Sequence, residues 1–204
     1  MHLHRKPWWL FAIITVFLFL LAYFNSALNP LLEYDREAVQ IGQWWRLLSA
    51  HFVHLNTNHL LMNGMVLAIA WFLAPGERLK PVSLLLTFSG LSLFCSFGLY
   101  LFSPEISIYV GLSGVLYGVL MIVLIDKLRQ TKFYLLPLCC LLAKTIWEQL
   151  PGYDINFMQT YIGASVVVDA HLYGAMGGLL YAGCLRIGKK DFTDAQNHAE
   201  TINS

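Results

Sequence analysis

Charge is what this chain has least of. Only 12% of its 204 residues are Asp, Glu, Lys or Arg, about half the roughly 25% usual in soluble globular proteins. Thirteen basic and twelve acidic side chains, gathered into short stretches, cannot cover the surface of a soluble fold of this length. That excludes an ordinary cytosolic enzyme. The formal net charge is +1, so no basic face exists to neutralise phosphates, and a nucleic-acid partner is excluded as well. There are four cysteines, Cys95, Cys139, Cys140 and Cys184, without the spacing of metal ligands, and no HExxH motif, so a zinc protease is disfavoured. Each cysteine falls in an apolar run, where a small buried hydrophobe is expected. No internal repeat and no low-complexity tract is visible.

What the chain does have is apolar sequence. Hydrophobic residues make up 57% of it and the mean hydropathy is +0.59. Continuous apolar runs occupy 8–24, 59–74, 81–102, 108–125, 133–147 and 164–187, each near the roughly 20 residues that cross a hydrocarbon core as helix. Strands of a membrane barrel would alternate in segments of about ten residues, and these runs do neither. The expected fold is an all-α membrane protein, a bundle of six transmembrane helices over 1–187 followed by a polar cytoplasmic tail, 188–204. With the N-terminus inside, the cytoplasmic segments hold Arg5, Lys6, Arg78, Lys80, Lys127, Arg129, Lys132, Arg186, Lys189 and Lys190, ten of the thirteen basic residues. The bias obeys the positive-inside rule and puts both termini in the cytoplasm. Agreement of the later loops with a retained first helix argues against a cleaved signal peptide. Two outside connections are long, 25–58 and 148–163. The first carries Trp44, Trp45 and Arg46 and is expected to rest in the membrane interface.

Polar residues inside a span are costly and suggest function. Here they fall at one depth. His59 and Asn63 open the second run, Ser113 opens the helical part of the fourth and His171 lies near the start of the sixth. In the deduced topology all three helices run inward, so the four residues share the outer part of the membrane. Ser113 sits in Gly111-Leu112-Ser113-Gly114, with Tyr117 one turn later and Gly118 after it. Glycines on both sides permit close backbone approach, and a helix N-terminus there offers free N–H groups to a developing oxyanion. Gly114 and Gly118 are four apart, as are Gly174 and Gly178, and two such small-residue faces let helices pack closely. That contact would bring the hydroxyl within reach of the His171 imidazole as its base. Asp169, two residues from His171, projects about 200° around the helix, so a Ser–His dyad is expected. Tyr117 can orient the imidazole by ring packing, and His59 and Asn63 can supplement the Ser113 N–H as oxyanion donors. Lys144 and Glu148, four apart, read as an ion pair or as a pair near a substrate entrance. His51 and His54 belong to the loop approaching the second helix.

On these residues the sequence resembles the rhomboid family of intramembrane serine proteases. The resemblance runs over about 45–180 and rests on Trp45-Arg46, the HxxxN of His59 to Asn63, the GxSG of Gly111 to Gly114, Tyr117, and Ala170-His171 followed by Gly174 and Gly178. It implies Ser113 as nucleophile, His171 as general base and later acid, and His59, Asn63 and the Ser113 amide as oxyanion donors. It also implies that Tyr117 packs on the imidazole, and that the helix at 133–147 with its following loop admits substrate sideways from the lipid. The implied activity is endopeptidase cleavage of single-span membrane proteins near the periplasmic face of the bacterial inner membrane, with no metal or organic cofactor. The chain further resembles rhombosortases, the subgroup thought to process Gly-Gly C-terminal anchors. Two other readings fit fewer of the residues. A catalytically silent rhomboid-like binder of membrane clients would normally lack the serine or the histidine. A haem-binding membrane electron carrier would need two histidines facing one another across helices.

Overall fold

The computed structural model describes residues 6–184. Its architecture follows from the apolar runs. Trp8–Tyr23 form α1 and, after a break at Phe24, Asn25–Leu32 form α2, turned 98° from α1. The first outside connection continues through a two-residue strand β1 (Tyr34–Asp35), α3 (Arg36–Gln40) and α4 (Arg46–Ser49). Then come α5 (Thr57–Leu73), α6 (Pro81–Phe102), a second short strand β2 (Ile108–Tyr109), α7 (Ser113–Leu128), α8 (Leu135–Glu148) and α9 (Gln159–Ile162). Residues 168–184 form a last helix, α10. The 188–204 tail and the end of the sixth apolar run lie outside the described residues.

Local chemistry sets the helix starts that matter. Asn56 caps α5 by accepting the His59 N–H at 2.9 Å, which fixes His59 in the first turn. Pro81 opens α6, where a missing N–H costs nothing. At 22 residues, α6 is about 33 Å long and, among the described residues, is the single unbroken helix both long and apolar enough to cross a bilayer. The others are shorter, 14 to 17 residues for α1, α5, α7 and α8.

The core centres on α7, which packs against α5, α6 and α8 and buries Val115, Leu116, Met121, Ile122 and Val123 almost completely. Leu18 of α1, Leu60 and Leu67 of α5 and Leu91 of α6 complete one cluster with Val115, Leu116 and Ile122. Many large apolar side chains instead face outward, among them Ile13, Val16, Leu85, Leu86 and Phe102. A surface so apolar suits lipid, not water. The cysteines divide along the same line. Cys95 is buried, but Cys139, Cys140 and Cys184 are exposed, which corrects the expectation that all four are interior. Lipid is as apolar as the core, so hydrophobic context does not say which side of a helix is inside.

The ends of the helices sort by charge. Lys6 donates to the Trp71 carbonyl at 3.2 Å, and Arg78 pairs with Asp126 at 2.7 Å, so the start of α1 and the ends of α5 and α7 share one face. The opposite face carries the first connection. Arg46 is buried there, donating to the carbonyls of Pro30 and Glu33 at 2.8 Å each. Arg36 spreads its guanidinium over the end of α6, donating to the carbonyls of Leu99, Tyr100, Ser103 and Ile106 at 2.7 to 3.1 Å. Carbonyls at the end of a helix run short of N–H partners, and the arginine adds donors to this group. Antiparallel pairing of Tyr34 with Tyr109 and of Asp35 with Ile108 ties this connection to the chain just before Ser113. Trp44 and Trp45 stay about half exposed on the same layer, as an interfacial segment requires.

Candidate active site

Ser113 is the first residue of α7, so its own N–H and those of Gly114 and Val115 have no acceptor within the helix. The turn leading into it is held from three sides. Gly111 donates its N–H to the Ala50 carbonyl at 3.0 Å, and its carbonyl accepts the Tyr109 hydroxyl at 2.6 Å. Gly111 also has φ +120° and lies so close to His59 that a β-carbon would fall 2.6 Å from the imidazole Cε1. Only glycine satisfies both conditions.

The crossing of α7 with α10 brings the second group in. A β-carbon on Gly114 would stand 2.7 Å from the Ala170 carbonyl oxygen, and one on Gly118 2.6 Å from that of Gly174. Reciprocally, β-carbons on Gly174 and Gly178 would collide with the carbonyls of Gly114 and Gly118. Backbone therefore meets backbone along two turns, the close packing that small residues allow. His171, next to Ala170, thereby reaches Ser113: Nε2 lies 2.9 Å from Oγ. The Tyr117 ring stacks on the imidazole with centroids 4.2 Å apart and planes 5° from parallel.

His59 and Asn63 line the same cavity as Ser113 and His171, a volume of about 530 Å³. His59 Nδ1 and Asn63 Nδ2 are buried without a partner among the described residues, and a buried amide N–H without an acceptor is costly. An oxyanion in the cavity would supply one. The 148–163 connection covers this space with Tyr153, Phe157 and Met158. It is pinned through the Tyr161 carbonyl, which accepts from Asn56 at 3.3 Å and Asn58 at 3.2 Å.

Behind the cavity lie His51 and His54, both fully buried in the connection before α5. Ser96 Oγ donates to the Leu47 carbonyl at 2.6 Å, so the 2.9 Å contact between His51 Nε2 and that hydroxyl is a donation from the imidazole. Burial lowers His51 to about 4. His54, lowered to about 3 by burial and then by the neighbouring His59, stacks edge-on against the His59 ring at 5.1 Å.

Two acids behave differently from one another. Asp169 turns toward α6 and accepts from the Ser103 hydroxyl, away from the imidazole. Glu148 turns inward: its Oε2 lies 3.0 Å from His171 Nδ1. Its Oε1 accepts the Tyr117 hydroxyl at 3.1 Å and pairs with Lys144. The dyad expectation leaves His171 Nδ1 without a carboxylate. The structure puts one there.

Chemically, the arrangement provides a hydroxyl in contact with a base, unpaired donors beside it and a part-apolar chamber in front. Comparison with known proteins points the same way. The rhomboid domain family model matches residues 41–187. The chain is 28% identical over 144 residues to "Putative rhomboid protease YdcA" of Bacillus subtilis, covering 68% of this chain and 66% of that protein. It is 29% identical over 191 residues to rhomboid protease GlpG of Yersinia enterocolitica, covering 92% of this chain and 62% of that protein. The GlpG of Yersinia pseudotuberculosis is similar at 28% over 193 residues. The chain spans under two thirds of the length of these curated relatives.

Proposed function

The chain belongs to the rhomboid family, multi-pass helical proteins of the bacterial inner membrane, and from that premise we propose that it is an intramembrane serine endopeptidase. Ser113 is the nucleophile and His171 its general base. Ser113 Oγ forms a bond to the scissile carbonyl carbon as its proton passes to His171 Nε2, and the carbonyl electron pair moves onto oxygen. The Ser113 N–H, Asn63 Nδ2 and His59 hold that oxyanion. Collapse expels the amine fragment, which takes the proton from Nε2. Water then repeats the sequence on the acyl-enzyme. The single observation that carries this reading is the 2.9 Å contact between Ser113 Oγ and His171 Nε2, made by groups 58 positions apart and opening on the same cavity as the unpaired donors.

The protease domain is 1–187, with six spans and both termini in the cytoplasm. The sharing of one face by Lys6, Arg78 and Asp126 supports that arrangement, with Ser113 toward the periplasm. Gly111 and Gly114 keep space beside the hydroxyl, and Gly174 and Gly178 hold its base close. The substrates are single-span membrane proteins. A peptide bond inside a helix is not accessible until that helix unwinds, so glycine near the outer end of the span favours cleavage. The rhombosortase assignment follows as the finer reading, with Gly-Gly C-terminal anchors as substrates. The test is mass spectrometry of membrane-anchored and surface proteins in cells carrying the active protein or Ser113→Ala. New C-termini next to glycine, present only with the active protein, are expected. Identical termini in both would refute the function.

A further inference from the structure

We propose that Glu148 is a positioning residue that completes a Ser113–His171–Glu148 triad, holding the imidazole with Nδ1–H on its carboxylate and Nε2 free to accept the serine proton. The inference rests on the serine protease reading above and adds a third member to it.

Two features of the carboxylate separate this role from a plain ion pair. Lys144 and Glu148 sit one helical turn apart, and a surface pair at that spacing leaves both heads in water. Here the Lys144 side chain is 55% exposed and that of Glu148 only 1%. The carboxylate has been drawn inward past its lysine to reach the imidazole. A carboxylate taken out of water needs partners on both oxygens. Oε2 has His171 Nδ1 at 3.0 Å, and Oε1 has Lys144 and the Tyr117 hydroxyl. If the lysine pair were the whole purpose, neither burial nor the second oxygen would require an imidazole.

The stack with Tyr117 also leaves a gap that only a directional partner fills. Parallel rings 4.2 Å apart fix the plane of the imidazole. They do not distinguish its two edges, because a half-turn about the Cβ–Cγ bond keeps the plane and exchanges the nitrogens with carbons. That half-turn would point Cε1 at Ser113 and abolish the base. An acceptor on Nδ1 selects one of the two orientations and one of the two tautomers. Glu148 is that acceptor.

Its part in the reaction conserves charge. As the Ser113 proton arrives at Nε2, His171 becomes an imidazolium while the carbonyl oxygen becomes an anion. Glu148 keeps its negative charge, accepts Nδ1–H throughout and stabilises the cation. Lys144, outside the pair, neutralises the carboxylate before the reaction begins. The other charged or titratable groups around the imidazole are His59 of α5 and Tyr117 of α7.

The experiment uses the full chain in lipid with a fluorophosphonate probe, which forms an oxygen–phosphorus bond to an activated serine as fluoride leaves. Wild type, Ser113→Ala, Glu148→Gln and Glu148→Asp are compared. Glu148→Gln is expected to slow the maximal labelling rate by about 10²- to 10⁴-fold, with little change in the probe concentration giving half that rate, and Glu148→Asp to recover part of the loss. A Glu148→Gln rate within threefold of wild type, or a loss carried entirely by weaker probe binding, overturns the triad. A wild type that labels no better than Ser113→Ala refutes the serine protease reading itself, a result distinct from a labelled wild type with an indifferent variant. Should Glu148→Gln not fold, ¹⁵N shifts of neutral His171 in wild type decide. The Nδ1–H tautomer supports the triad, and the Nε2–H tautomer overturns it.

Discussion

Gly114→Ala tests the crossing that holds the site together. The added methyl would sit 2.7 Å from the Ala170 carbonyl oxygen and 3.1 Å from Cys95 Sγ. Ordinary contact needs about 3.5 Å, and a backbone carbonyl cannot rotate away, so α7 and α10 must part by about 0.8 Å at that point. Gly114 and Ala170 are the neighbours of Ser113 and His171. Passed on to the 2.9 Å hydrogen bond, the same opening lengthens it to about 3.7 Å, beyond hydrogen-bond range. A displacement near 1 Å at a reacting pair costs about 10²-fold in rate. Cleavage of a reconstituted single-span substrate and fluorophosphonate labelling should therefore both fall by about that factor. Gly90→Ala in α6, where a β-carbon meets nothing within 4 Å, should leave both close to wild type. Rates for Gly114→Ala within threefold of wild type, in folded protein, would refute the claim that this backbone contact sets the geometry.

In the proposed mechanism Asn63 donates only when the oxyanion forms, so for Asn63→Ala kcat should fall by about 10²- to 10³-fold with KM nearly unchanged; steady-state kinetics showing the reverse split would make Asn63 a substrate-binding residue instead. Stability should depend on acidity through His51. Its folded value, about 4, lies below the ordinary 6.5, so between those values the unfolded chain binds the extra proton. Stability from this group is therefore complete above about pH 6.5 and lost as pH falls toward 4, by about 3 kcal/mol. Unfolding midpoints in detergent at pH 7 and pH 4.5 should show the drop, and His51→Gln should reduce it; an equal drop in the variant would assign the effect elsewhere.

Much of this site is legible in the sequence because its parts obey local rules. The glycines four apart on two runs announce a close crossing, and the position of Ser113 and His171 one and three residues before those faces gives the approach of hydroxyl to imidazole. The i, i+4 spacing of Tyr117 from Ser113 puts its ring where the stack is seen. Glu148 is harder to read. Its spacing from Lys144 explains it fully as an ion pair, and nothing local says that α8 presents it to α10. A signal exists, for it is the single acid between Asp126 and Asp154, and an acid at the end of an apolar run is costly unless employed. The pairing of β1 with β2 has no sequence signal, being two residues long and joining distant segments. Apolar context likewise could not separate the lipid face from the interior, which is why three cysteines fall on the unexpected side.

The short ladder between β1 and β2 makes the placement of Ser113 dependent on a part of the chain that never enters the cavity. Tyr34 and Asp35 pair with Tyr109 and Ile108, just upstream of Ser113, and Ala50 clasps Gly111. A fragment beginning at α5 would retain every reacting group yet lose this mooring, so its hydroxyl would drift. Domain grafts and split versions of the protein must for that reason carry the amino-terminal connection along with the bundle, or they will insert into the bilayer and stay inert.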